Sequence, residues 1–478
     1  MTRHELLISG WRPSSSTSYE SVLSPYNGEV VGEVVAGTKK DAEFAVEQAE
    51  TAGALWRRTP AHKRQEILMA AAAIADTRQE EIAQIISREN GKSILEARGE
   101  AGRSGELIRL AAFEGAHLYG STLPLDANKG TGLEKIGFTI RQPVGVVAAI
   151  SPFNYPALLV LHKIAPALAV GNAVVLKPAR TTPLTAIALA QCFFDAGLPE
   201  GVLSVITGPG AELGHSLVTN PKVRKISFTG STSVGESITR VAGVKKLSLE
   251  LGASSPVIVL NDADIELAAS AVALGGYINS GQVCISVQRV ILHKDIRDEF
   301  LEALAPKVAA IKMGNPLDDS TQVGSLISVA EAQRVEAAIS HAVSQGAQLL
   351  IGGERDGAFV SPAILTNVDP RTSIAQDELF GPAVVVTDAE SDKHAIELAN
   401  STAYGLGAGI FTRDISRSIQ AMREIDAGII HVNWTPLWRA DLMPYGGLKA
   451  SGVGKEGVRT TAQEMTEEKT VIMHGSAW

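Results

Sequence analysis

The sequence predicts an α/β protein of at least two lobes, the first a doubly wound nucleotide-binding lobe, and three observations carry that expectation. The chain is 478 residues long, more than one hydrophobic core usually serves. From Pro143 to Glu250, short apolar runs rich in β-branched residues (GVVAAI, AVVL, LSVIT, KISFT, KLSLE) alternate with amphipathic stretches such as TTPLTAIALAQCFFDAG and STSVGESITRVAG. That alternation is the grammar of a parallel sheet covered by helices. After Asn261 it restarts and continues to GIIHVN, near residue 433, which predicts a second α/β lobe.

The remaining elements follow in order. Asp41 to His117 reads as mostly helical, and Gly120 to Gly132 as a Pro/Gly loop. The second lobe opens on an alanine-rich helix from Asp264 to Leu274, then the loop holding Cys284, the strand RVILH and a long helix through Lys312. Residues 134 to 142 and the tail EKTVIMHGSAW are strand-like with no partner in their own neighbourhood. Open strand edges invite a second subunit, so a homodimer or homotetramer is expected. There is no repeat of fixed period and no low-complexity segment.

Composition narrows the function. An apolar content of 45% is ample for such cores, and a net charge of -9 argues against nucleic acid or an anionic membrane as the main partner. The first residues lack the layout of a secretory signal, and the run Ala157 to Leu176 is broken by His162, Lys163 and Pro166, so a cytoplasmic protein is expected. Two cysteines can form one disulfide at most and no four-cysteine zinc site, and no metal is expected. Cys192 sits in the apolar helical stretch LTAIALAQCFFDAG and reads as a small buried hydrophobe. Cys284, in the polar, glycine-containing INSGQVCIS, suits a thiol that meets a ligand.

The glycine strings alone are weak. GPGAELG, Gly208 to Gly214, departs from the dinucleotide fingerprint in its spacing, and GSTSVG, Gly230 to Gly235, is followed by Glu236 where a phosphate loop needs lysine. GSTSVG does follow the strand KISFT and opens a helix, which aims its amides at a phosphate. Asn154 stands between two prolines in SPFNYP; this fixes the backbone, as an oxyanion donor requires, although a turn asparagine looks the same. Glu250 ends an apolar strand and would project from the carboxyl edge of the sheet, as a helix cap or as a general base.

Taken in order along the chain, SPFNYP, LKPA, FTGSTSVG, LELGASSP, GQVC, ELFGP and PYGGLKASGVGKEG make the sequence resemble the aldehyde dehydrogenase superfamily from about residue 20 to the C-terminus. Within it, the sequence is similar to the branch acting on glyceraldehyde 3-phosphate, lactaldehyde and phosphonoacetaldehyde. The resemblance implies a Rossmann-like cofactor lobe (1–118 and 142–251), an α/β catalytic lobe (252–446) and a small oligomerisation sheet (119–141 and 447–478). It implies Cys284 as the nucleophile that captures an aldehyde, Asn154 as the oxyanion donor, and Glu250 as the base that activates water against the thioester.

For the cofactor, NADP or NAD, the resemblance implies Lys177 on the adenosine ribose, Ser231 on the pyrophosphate, Glu378 on the nicotinamide ribose and Phe380 near the nicotinamide. Ser151, Pro152, Gly210, Gly230 and Leu251 complete that surface. Arg180 stands where many NAD-dependent members carry an acid after KPA, which favours NADP. Ala253 replaces the second glycine of ELGG, and Val283 and Ile285 flank the cysteine where the family varies with substrate. Coenzyme-A-acylating relatives tend to lack the glutamate matched by Glu250, and a non-catalytic scaffold has no need of Asn154, Glu250 and Cys284 together.

The substrate expectation is an anionic aldehyde. Arg103, at spacings of four and eight from Leu107 and Ala111, is placed on the face expected to be buried. A buried guanidinium needs a counter-charge, which Glu100 or Glu106 would supply within the helix and an anionic substrate would supply otherwise. Arg439, in WRADLMPYGG, and Tyr155, after Asn154, have counterparts in relatives that accept phosphorylated, phosphonate or sulfonate aldehydes.

Overall fold

The computed structural model describes residues 3–475. Its first large sheet is built on five parallel strands, in the spatial order Leu203–Val205, Ala173–Lys177, Val146–Ile150, Val223–Thr229, Lys246–Glu250. Almost every residue of the first four is buried, which is why they read as continuous apolar runs rather than alternating ones. Strand order reverses between Val146–Ile150 and Val223–Thr229, and such a switch point opens a ligand crevice beyond the carboxyl ends. Short antiparallel strands extend the edges: Leu6–Leu7 and Trp11–Arg12 at one, Gly452–Val453 at the other.

Helices cover this sheet. Lys39–Trp56 begins with a capping box between Thr38 and Asp41 and packs on Ala173–Lys177. Leu158–Ala169 is buried along its whole length in spite of His162, Lys163 and Pro166. Among the described residues no helix is long and apolar enough to cross a membrane.

The second large sheet has seven strands, in the order Gln348–Ile351, Ala363–Thr366, Ala383–Ala389, Val287–His293, Ser255–Val259, Gly407–Phe411, Ile429–Val432. All pairs are parallel except the first. The helix expected to reach Lys312 stops at Ala309, three residues beyond Pro306, and Lys312 instead offers its carbonyl to the amides of Gln322 and Val323.

The two strand-like pieces without local partners pair with each other: Lys135–Pro143 runs antiparallel to Thr466–His474 over nine residue pairs. Thr122–Leu123 adds the third strand, so Thr466–His474 is an edge strand; residues 476–478 of the tail lie outside the described residues. The C-terminal segment does more than build this sheet. Gly452–Val453 lies beside Lys246–Glu250, and helix Val458–Glu464 packs on Ser104–Ala116 and Leu158–Ala169. That course carries Glu456 into the interior.

Candidate active site

The carboxyl ends of the first sheet gather most of the residues expected to meet a dinucleotide. The Ser151 amide bonds the Lys177 carbonyl at 3.2 Å. The Lys177 ammonium donates to the Pro178 carbonyl at 2.9 Å, and burial pulls its pKa down to about 8. Gly210 opens a helix at that ammonium, where an added Cβ would lie 3.9 Å from it. At Gly230 an added Cβ would meet the tip of the Phe228 ring at 2.5 Å. Ser231 precedes helix Thr232–Val241 without capping it through its side chain, so the first amides are left for an acceptor such as a phosphate. Leu251 fills the space that a side chain at Gly235 would take. Pro152 follows Ser151 at the same edge.

From the second lobe, Glu378 accepts from the Ala253 amide at 3.1 Å, and burial raises its pKa to about 7. Phe380 holds a left-handed backbone, φ 49°, and meets Phe153 edge to face at 5.8 Å. Arg180 has a partner the sequence did not disclose: its Nε donates to Glu20 at 2.7 Å, and its side chain is 64% exposed.

Cys284 follows a tight left-handed turn, with φ of 50°, 55° and 70° at Asn279, Ser280 and Gly281. Only glycine fits the last position, since a Cβ would lie 2.1 Å from the Gly381 carbonyl oxygen. Two bonds hold that turn to the Asn154 segment, and a third ties it to Glu96. The Asn279 side chain donates to the Asn154 carbonyl at 3.0 Å, the Asn154 side chain donates to the Gln282 carbonyl at 2.9 Å, and the Asn279 amide donates to Glu96 at 3.0 Å. Beneath lies a buried ion pair unforeseen in the sequence: Lys92 bonds Glu100 at 2.7 Å and the Asn154 carbonyl at 2.8 Å, with its ammonium 3.8 Å from the Tyr155 ring centre.

Cys284 and Asn154 share a small cavity, about 90 Å³, with Tyr155, Arg103, His162 and Arg439. Neither Glu100 nor Glu106, the local alternatives to an anionic substrate, pairs with Arg103, and its expected burial is corrected. The helix breaks at Arg103, between Ile94–Gly102 and Ser104–Ala116, and Arg103 pairs with Asp441 at 2.5 Å, its side chain 41% exposed. Glu100 is committed to Lys92 and to the amides of Ala157 and Leu158, and Glu106 to Arg109. Asp441 also lies 3.3 Å from His162, which burial and Arg439 hold neutral by pushing its pKa to about 4.

Arg439 is enclosed, its side chain 12% exposed and 3.6 Å from Glu456. Its guanidinium lies 3.9 Å from the Tyr445 ring centre, and among the described residues neither Nε nor the terminal nitrogen facing Glu456 has a hydrogen-bond partner. Glu250 is buried, neither carboxyl oxygen has a hydrogen-bond partner among the described residues, and it packs on Gly446, where a Cβ would lie 2.6 Å away. Burial and the Glu456 charge lift its proton affinity well above normal. Glu456 stays ionised, pulled to about 2 by Lys163 and Arg439. Lys163 also donates to Thr229 at 2.7 Å. The thiol of Cys284 is pushed up to about 12 by burial.

A doubly wound sheet whose carboxyl edge faces a cleft, with a thiol, an amide and a carboxyl beyond it, is the layout of a dinucleotide-dependent oxidoreductase. The model of the aldehyde dehydrogenase family matches residues 11–471. The 3-sulfolactaldehyde dehydrogenase of Priestia aryabhattai is 43% identical over 472 residues, spanning 99% of this chain and 98% of the relative. The NADP-dependent glyceraldehyde-3-phosphate dehydrogenase of Bacillus halodurans C-125, solved with NADP, superposes with a TM-score of 0.97 at 35% identity, covering 99% of this chain and 100% of that one. The NAD-dependent aldehyde dehydrogenase of Sinorhizobium meliloti gives 0.96 at 35% identity, covering 100% and 95%. The chain belongs to the aldehyde dehydrogenase family, and NAD or NADP is its cofactor.

Proposed function

We propose that the protein oxidises a short anionic aldehyde to its carboxylic acid through a thioester on Cys284. The observation that carries the anion is Arg439, which lines the cavity of the thiol and, among the described residues, has no hydrogen bond at Nε or Nη2, its one carboxylate, Glu456 at 3.6 Å, being shared with Lys163. A buried cation with free donors is costly unless an anion completes it. Arg103 stands on the same cavity, already balanced by Asp441, and would bind the anion second. The relatives named for sulfolactaldehyde and glyceraldehyde 3-phosphate support a sulfonate or phosphate substituent, and Tyr155 would orient it.

In this reading the Cys284 sulfur attacks the aldehyde carbon. One hydrogen of the Asn154 amide is held by Gln282; the other, with the Cys284 amide, meets the developing oxyanion. NAD or NADP, when bound, supplies the hydride acceptor. Lys177, Gly210, Gly230, Ser231 and Leu251 would hold its adenosine and pyrophosphate end, and Ser151, Pro152, Glu378 and Phe380 its nicotinamide end. Glu250 then takes a proton from water, which hydrolyses the thioester; a carboxylate of raised proton affinity is a stronger base for that step.

NADP would be used at least as well as NAD, its 2′-phosphate competing with Glu20 for Arg180. We further infer a cytoplasmic homodimer or homotetramer joined through the edge strand Thr466–His474, where Ile472 and Met473 are exposed. The deciding experiment compares glyceraldehyde 3-phosphate, sulfoacetaldehyde, phosphonoacetaldehyde and succinic semialdehyde with propanal and benzaldehyde, with each cofactor, measuring acid and reduced cofactor together. Higher kcat/KM for the neutral aldehydes would end the anionic reading.

A further inference from the structure

The Tyr445 hydroxyl lies 2.9 Å from Cys284 Sγ. Tyr445 is 2% exposed, a buried phenol needs a hydrogen-bond partner, and among the described residues this sulfur is the partner it has. The residue is fixed from two directions. Arg439 covers the ring at 3.9 Å, and the Tyr445 backbone exchanges both its hydrogen bonds with Glu456, at 2.9 and 2.6 Å. With backbone and ring both held, the phenol oxygen keeps its place against the sulfur.

A thiol and a thiolate use that contact differently. A hydrogen bond to an ionised acceptor is roughly twice as strong as one between neutral groups, so a phenol O–H pointed at sulfur favours the thiolate. We infer that Tyr445 is a catalytic residue of the first chemical step, donating its hydroxyl hydrogen to the Cys284 thiolate and so enlarging the nucleophilic fraction of the sulfur. This rests on the proposed role of Cys284 as nucleophile.

The step balances simply. The Sγ–H proton passes to Glu250 or to water, while Tyr445 keeps its own. As sulfur attacks, the S–C bond forms, the carbonyl π pair moves onto oxygen opposite Asn154, and the phenol loses its charged acceptor. Its contribution is therefore to the population of thiolate. Lowering a thiol pKa also weakens the nucleophile, with a Brønsted slope of about 0.4–0.5, so about half of the gain on a logarithmic scale survives in rate. The other charges facing the sulfur divide: Glu250 and Glu378 oppose its ionisation, Arg439 assists it, and the Tyr155 phenol, still protonated, adds no charge.

The test is the rate of Cys284 alkylation by iodoacetamide in the full-length enzyme at fixed pH between about 7 and 9, followed by mass spectrometry of the Cys284 peptide. Tyr445→Phe removes one oxygen. It should lower the thiolate fraction about tenfold at each pH and slow alkylation about threefold. Site-specific 3-fluorotyrosine at position 445, a stronger donor, should speed alkylation. A purely structural tyrosine would not give that opposed pair, and an unchanged rate in the fluorotyrosine protein overturns the inference even if the phenylalanine variant does not fold. Should Cys284→Ala retain full turnover, the nucleophile assignment itself fails, a result distinct from an unchanged alkylation rate in an enzyme that needs Cys284.

Discussion

Burial, and after it the ionised carboxylate of Glu456, raise the proton affinity of the Glu250 carboxylate. Both are fully enclosed, and the cations Lys163 and Arg439 stabilise the charge on Glu456 first. Glu456→Gln removes a negative charge from beside Glu250 and leaves both cations free to act on it. Each change eases ionisation of Glu250, so the acid limb of the turnover profile should move to lower pH, by about one unit or more. A kcat profile from pH 5 to 9 measures it, and an unmoved limb would mean that Glu250 is not the group titrating.

Removing the base separates acylation from hydrolysis. Glu250→Gln should still give a burst of reduced cofactor approaching one per active site, followed by turnover about a hundredfold slower. Cys284→Ala should show neither phase. Rapid-mixing absorbance at the reduced-cofactor band reads both, and a normal steady-state rate in Glu250→Gln would remove that residue from the mechanism.

Local chain geometry made some residues candidates, and the family resemblance assigned them roles. Asn154 lies between prolines, Ser231 begins a helix directly after a strand, and Cys284 lies in a glycine turn. Illegible were the partners reached through tertiary folding. Lys163 looked like an interruption in an apolar run, and only the returning C-terminal segment brings Glu456 to it. Arg103 has two acids within its own helical stretch, but Lys92 takes Glu100, Arg109 takes Glu106, and Asp441 takes Arg103. Nothing local links Lys135–Pro143 to Thr466–His474, because strand pairing between distant segments depends on how the lobes close.

On the proposed reading, in which Arg180 meets the adenosine ribose, cofactor preference depends on its ion pair with Glu20 at 2.7 Å. Arg180→Glu should raise KM for NADP about tenfold more than KM for NAD, since an acid there repels a 2′-phosphate. Glu20→Gln frees the guanidinium and should lower KM for NADP. Equal effects on the two cofactors would show that Arg180 does not face the adenosine ribose.

On the proposed reading, in which Glu378 holds the nicotinamide ribose, cofactor binding should depend on pH. Burial raises its carboxyl to about 7, so it is protonated below that pH and ionised above it. A carboxylate accepts two ribose hydroxyls, whereas the protonated form has less acceptor capacity. Affinity for NAD should therefore strengthen as pH rises from 6 to 8, and the Glu378→Gln variant should bind weakly with a flat profile. Fluorescence titration of NADH gives the dissociation constants directly, and an identical slope in the variant would place the titrating group elsewhere.

The two cavity arginines should differ in their effect on substrate choice. Arg439 is enclosed, shares Glu456 with Lys163 at 3.6 Å and, among the described residues, has no hydrogen bond at Nε or Nη2, whereas Arg103 is 41% exposed and has Asp441 at 2.5 Å. A hydrogen bond to a charged group contributes about 1.5–3 kcal/mol, so two from Arg439 amount to a hundredfold or more in kcat/KM for an anionic aldehyde. Arg439→Leu keeps some of the packing over Tyr445, so a neutral aldehyde of similar size should lose far less. Arg103→Leu should cost about tenfold with the anionic substrate, because Asp441 already offsets its charge. The ratio of kcat/KM for glyceraldehyde 3-phosphate to that for propanal, taken across both variants, isolates the anion contact from general damage to the site. A ratio unchanged by Arg439→Leu would make that residue a structural partner of Tyr445 and Glu456 alone.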